Sequence, residues 1–162
     1  MGNREILFAH RALENETGHE AGRQLLRQLY VQKTGKECPE ILVTDRGKPY
    51  FAEGTLHFSI SHTKSHAFCV LSERPVGMDA EEMDRVVNLH LAEKILSPTE
   101  RIRFEQAQDK QAALLKFWVL KEAAVKLSGE GLRGYPNHTD FDPEDSRVKM
   151  IDEHYVAVLE ED

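Results

Sequence analysis

Two stretches with helical spacing of apolar residues, about 15–32 and 109–128, stand among apolar runs of strand length, and that order leaves few ways to fold. In the first, Ala21, Leu25 and Leu29 form one row and Gly22, Leu26 and Tyr30 the next, which is the spacing of a helix face turned to a core. Arg23 and Arg27 share a more polar flank one turn apart, and Gly35 is placed to end the helix in the left-handed conformation. In the second, Asp109 is a candidate N-cap, Leu114, Phe117, Trp118, Ala124 and Val125 supply the apolar face, and Gly129 follows as the stop. Ser97-Pro98-Thr99-Glu100 is a capping box with proline at the first helical position, so a further helix starts there. Strands are expected at 5–9, 41–44, 48–51, 56–61, 66–72 and 76–82, then at 139–141, 147–151 and 155–159. The order predicts an α+β fold of two related halves, approximately 1–72 and 73–162, arranged about a pseudo-twofold within one domain.

Charge and apolar content exclude several classes. The 21 Lys+Arg against 28 Asp+Glu leave a formal charge of −7, which argues against an electrostatic nucleic-acid binder. An apolar fraction of 40% excludes a disordered chain. No apolar run approaches the roughly 20 residues that span a bilayer. The first residues carry acids beside a short apolar patch and do not read as a secretory signal. Ile6 stands where a myristoylation motif requires Ser or Thr. Cys38 and Cys69 make no metal or redox spacing. The expectation is a cytoplasmic monomer that binds neither nucleic acid nor membrane.

Four short elements can carry chemistry. Asp79 and Glu81, in Gly77-Met78-Asp79-Ala80-Glu81, are two apart on a strand and project to one face. Paired carboxylates are hard ligands suited to Mg²⁺, and an exposed acidic strand end has the same pattern. Glu122 and Lys126 sit four apart on the long helix, the spacing of an ordinary ion pair, with Trp118 one turn earlier. Arg46-Gly47-Lys48-Pro49 puts cations on a turn where glycine permits close approach, and Ser61-His62-Thr63 ends a strand. Each of these also reads as a solvated turn. His62 and His66 are four apart without a helix around them, so no zinc pair is read.

Together, Gly47-Lys48-Pro49, Ser61-His62-Thr63, Gly77-Met78-Asp79-Ala80-Glu81 and Trp118-Val119-Leu120-Lys121-Glu122-Ala123-Ala124-Val125-Lys126 resemble the 4′-phosphopantetheinyl transferases, of the type that activates surfactin synthetase. The resemblance covers about residues 20–142 and implies that family's fold. It implies transfer of phosphopantetheine from coenzyme A to a serine of an acyl or peptidyl carrier protein, dependent on Mg²⁺, with release of 3′,5′-ADP. By position, Asp79, Glu81 and Glu122 match the family's Mg²⁺-binding acids. Lys126 matches the lysine at the diphosphate, and Lys48, Pro49, Ser61 and His62 match the surroundings of the 3′-phosphate and adenosine. Arg23 resembles an arginine of the first helix that approaches the nucleotide, and Glu100 sits where the family carries a further acid. Asp79, Glu122 and Lys126 are thereby the expected catalytic residues. The chain is shorter than the usual two-half enzymes of that type, with the shortage in its N-terminal half. Val119 and Thr63 depart from the commoner family residues without removing a ligating group. The other readings of these residues are a binding module for coenzyme A or a carrier protein, and a Mg²⁺-dependent nucleotide phosphohydrolase.

Overall fold

A computed structural model describes residues 6–128 and 140–161. Its elements run β1 Leu7–Ala12, α1 Gly18–Thr34, β2 Ile41–Val43, β3 Pro49–Phe51, β4 His57–His62, β5 His66–Ser72, β6 Val76–Glu82, α2 Leu91–Ile95, α3 Pro98–Gln106, α4 Lys110–Ser128, β7 Val148–Ile151 and β8 His154–Glu160. The fold is mixed α+β with antiparallel sheets in the orders β1-β5-β4, β2-β3 and β6-β8-β7.

The apolar alternation of β5 decides where the core sits. Ala67, Cys69 and Leu71 face the buried side of α1, meeting Ala21, Leu25, Leu26 and Leu29. Phe68 and Val70 point the other way and pack with Val76, Met78, Ala80 and Val156 from the second sheet. A strand buried on both faces reads as one continuous apolar run, as this one does. On the far side of β6 and β8, Leu114, Phe117, Leu120 and Ala123 of α4 bury Tyr155, Ala157 and Leu159. Each three-stranded sheet thus carries one long helix.

The two sheets adjoin along β4 and β6 through side chains. The Met78 N–H donates to Ser59 Oγ at 3.0 Å and the Ala80 N–H to Ser61 Oγ at 3.2 Å. Both partners advance together, so the strands run parallel, with hydroxyls in place of a backbone ladder.

Local signals placed most boundaries. Thr17 caps α1 by accepting from the Glu20 N–H at 3.1 Å, which starts the helix at Gly18 rather than at residue 15. Gly35 ends it at φ 73°, the expected left-handed stop. Ser97 and Glu100 form the reciprocal capping box of α3, and Asp109 Oδ1 accepts from the Ala112 N–H at 3.0 Å. Two expectations need correction. β1 runs to Ala12, since its pairing with β5 extends as far as His66; α2, which is not among the expected elements, has no side-chain cap to announce it. The strand expected at 139–141 is not formed at Asp140 and Phe141. There the Phe141 N–H donates to Glu100 Oε2 at 2.8 Å instead of to a ladder. Thr139 and the Gly129 stop lie outside the described residues.

Candidate active site

The site forms where β6 crosses α4, and Gly77 makes that crossing close. A Cβ there would lie 2.0 Å from the Ala123 carbonyl oxygen and 2.5 Å from the Leu127 nitrogen, both backbone atoms. Only glycine fits. Alternation then turns Asp79 and Glu81 to the same face as Gly77, toward α4, while Met78 and Ala80 go to the inter-sheet core.

Asp79 is 8% exposed. Its Oδ1 accepts from Lys126 Nζ at 3.2 Å and from Ser61 Oγ at 3.2 Å. Its Oδ2 is buried with no hydrogen-bond partner among the described residues. Burial raises the Asp79 carboxyl above the ordinary carboxylate range, against the pull of Lys126 and with a further push from Glu81. Glu122 is raised as well, first by burial, then by the charge of Asp79, with Lys126 opposing and Glu81 adding. The three acids and Lys126 therefore form one electrostatic cluster. The ordinary ion pair along the helix is not what forms: Lys126 reaches across to Asp79 and donates also to the Ile60 carbonyl at 3.3 Å. Glu81, nearer solvent, pairs with Arg85 at 2.7 Å.

Beside the cluster lies a cleft of about 210 Å³ lined by Lys48, Pro49, Ser59, Val125 and Lys126 with the turn Arg46–Gly47. Gly47 has φ 88°, so the turn depends on glycine. Lys48 Nζ donates to the Leu127 carbonyl at 2.9 Å, near the C-terminal end of α4, and burial lowers its pKa.

The remaining candidates scatter. Ser61 and His62 are neighbours on β4 and face opposite ways: Ser61 is spent on Asp79 and Ala80, while the exposed His62 packs against Gly18 at the start of α1. Arg23 stands with Arg27 close enough to Cys38 to lower its thiol pKa, though burial raises that pKa more. Neither Arg23 nor His62 is among the residues that line the cleft. Glu100 is 0% exposed, pairs with Lys121 at 2.7 Å and ties α3 to α4. Ser59 was not anticipated. Its alternation with Ser61 in Phe58-Ser59-Ile60-Ser61 is the signal that both hydroxyls share a face.

Among the described residues no group of three or more His, Cys, Asp or Glu is arranged to hold a metal ion. The donor set nonetheless fits a hard divalent cation. Asp79 Oδ2 is orphaned, and Asp79 and Glu122 are both raised, first by burial and then by neighbouring charges that include the other acids.

The class is thus an α+β fold whose acids and lysines gather where a strand crosses a helix. The model of the 4′-phosphopantetheinyl transferase superfamily matches residues 75–156, from the start of β6 into β8, and the chain belongs to that superfamily. It is 30% identical over 115 residues to the 4′-phosphopantetheinyl transferase gsp of Aneurinibacillus migulanus, covering 68% of this chain and 48% of that protein. To HetI of Nostoc it is 32% identical over 122 residues, covering 69% and 52%. To a 4′-phosphopantetheinyl transferase of Bacillus subtilis it is 32% identical over 129 residues, covering 76% and 54%. The chain spans about half the length of the curated relatives it matches. No described helix is long and apolar enough to cross a membrane.

Proposed function

We propose that this chain transfers 4′-phosphopantetheine from coenzyme A to a serine hydroxyl of an acyl or peptidyl carrier protein, with Mg²⁺, releasing 3′,5′-ADP. The observation that carries this reading is the buried, half-satisfied Asp79 carboxylate paired with Lys126 beside a cleft that Lys48 also lines. Asp79, Glu81 and Glu122 are the residues that would hold Mg²⁺. When bound, the cation neutralises the repulsion between these acids and the diphosphate and polarises phosphorus for attack.

The chain's own groups divide the remaining work. Glu122, or a water beside it, accepts the proton of the carrier serine. Lys126 stabilises the negative charge that develops on 3′,5′-ADP as the new serine–phosphorus bond forms and the bond to ADP breaks. Lys48 and His62 hold the anionic nucleotide, Lys48 at the cleft and His62 at the 3′-phosphate. The same reading takes the chain as a cytoplasmic monomer, and its net charge of −7 is consistent with a protein that does not bind nucleic acid.

The test is mass spectrometry of an apo carrier protein incubated with the chain, coenzyme A and Mg²⁺. A gain of one phosphopantetheine on the carrier serine is expected, lost when Mg²⁺ is chelated. Release of 3′,5′-ADP without any carrier would mark a phosphohydrolase and overturn the proposal.

A further inference from the structure

The strand β4 shows α1 its alternate residues Ile60 and His62, and α1 meets them with two glycines one turn apart, Gly22 and Gly18. At Gly22 a Cβ would lie 2.4 Å from Ile60 Cγ2, the branch methyl of a partly buried side chain. At Gly18 a Cβ would lie 2.3 Å from His62 Nδ1, 2.4 Å from Cγ and 2.7 Å from Cβ. Carbon atoms in contact rest about 3.5–4.0 Å apart. Rotating the imidazole about its Cα–Cβ bond relieves the first two clashes and leaves the third, because Cβ does not move. Residue 18 therefore has room for no side chain while His62 keeps its place. The backbone does not ask for glycine here, since Gly18 is in the first turn of α1, where alanine is the better helix former. What glycine supplies is space.

We propose that Gly18 is a positioning residue: it seats the His62 imidazole against the start of α1 and thereby sets the preference of the site for nucleotides that carry a 3′-phosphate. The proposal rests on the role given to His62 above and deepens it. Ser61 does not contribute to that preference in this picture, because it faces the opposite side of β4 and its hydroxyl is bound to Asp79.

Calorimetric binding of 3′,5′-ADP and of 5′-ADP, in the presence of Mg²⁺, separates this proposal from the transfer reaction itself. In wild type 3′,5′-ADP should bind more tightly. Gly18→Ala should lose roughly 10- to 150-fold for 3′,5′-ADP, the effect of one hydrogen bond to a charged group, and little for 5′-ADP. His62→Gly, which removes Cβ as well as the ring, should give the same loss, and the double variant no more than either. An unchanged preference in Gly18→Ala, or equal loss for both nucleotides, overturns the proposal. Thermal melting supplies a second arm: Gly18→Ala should lower the midpoint when His62 is present and not in the His62→Gly background. Equal destabilisation in both backgrounds would show that space beside His62 is not what Gly18 provides. Absence of transfer to a carrier would refute the proposed function and would leave these binding and melting results to decide the role of Gly18.

Discussion

Asp79 Oδ1 stands 3.2 Å from Lys126 Nζ, while the other oxygen of the same carboxylate, Oδ2, is buried without a hydrogen-bond partner among the described residues. The lysine satisfies one oxygen and fixes the carboxylate against α4, which also carries Glu122. The orphaned oxygen costs stability in the protein alone, and under the proposed function it is where the cation would bind. A site organised in this way exchanges folding stability for readiness to bind charge.

The first prediction follows from that exchange. Asp79→Asn should abolish transfer to the carrier while leaving the protein as stable as wild type or more so, because it removes a buried charge from a cluster of acids. Lys126 keeps the Ile60 carbonyl as a partner. Normal turnover at ordinary Mg²⁺ would refute the assignment of Asp79.

Stability should also depend on pH in a defined sense. Asp79 and Glu122 both have pKa values raised in the folded state, mainly by burial. Between the ordinary carboxylate value and the raised one, the folded chain holds protons that the unfolded chain has released. Their contribution is therefore most favourable at low pH and declines as pH rises through that window. Thermal melts of metal-free wild type should show this decline, and Asp79→Asn should flatten it. A slope unaltered by that substitution would place the titration elsewhere.

Gly77 is expected to be the least tolerant glycine of the site. The atoms that a Cβ would meet are backbone of α4, 2.0 and 2.5 Å away, and cannot swing aside. Gly77→Ala should cost about 3 kcal/mol or more, the upper end of overpacking penalties, and should separate Asp79 from Lys126. Urea unfolding measures the cost, and a loss under about 1 kcal/mol would show that β6 can retreat freely.

Glu100 matches a further acid of the family by its place in the sequence and is a clamp in the fold. Its carboxylate accepts from the Ser97 and Phe141 N–H groups at 2.9 and 2.8 Å and pairs with Lys121 at 2.7 Å. Glu100→Ala breaks a buried pair and should cost about 3–5 kcal/mol. Activity should fall only as far as folding does. A stable variant with abolished transfer would place Glu100 in the chemistry.

Much of this was legible before the fold was known, and the pattern of what was not is physical. Caps at Ser97 and Asp109 act within one turn, so those helix starts are legible in the sequence, whereas the Thr17 cap is passed over there and α1 is expected from about residue 15. The alternation that gathers Asp79 with Glu81 is equally local. Partners drawn from distant segments were hidden: nothing in the chain order says that Lys126 reaches Asp79 rather than Glu122, or that Phe141 turns its N–H to Glu100 and forgoes a strand. The division of Ser61 from His62 was implicit in strand alternation, yet the family resemblance grouped them around one phosphate.

That grouping yields the last prediction. Ser61 Oγ donates to Asp79 Oδ1 and accepts from the Ala80 N–H, both at 3.2 Å, and Ser61 is buried. A hydroxyl so engaged has no donor left for a nucleotide phosphate. Ser61→Ala should leave the Ala80 N–H buried and unpaired, costing about 1–3 kcal/mol of stability, and should loosen Asp79. Transfer should then require more Mg²⁺ for half-maximal rate, while the preference for coenzyme A over dephospho-coenzyme A stays at its wild-type value. Ser61→Thr keeps the hydroxyl and should restore Mg²⁺ dependence wherever its added methyl is accommodated. The decisive measurement is kcat/KM for both donors across a Mg²⁺ titration in wild type and Ser61→Ala. A narrowed preference with unchanged Mg²⁺ dependence would move Ser61 from the carboxylate to the 3′-phosphate, as the resemblance first implied.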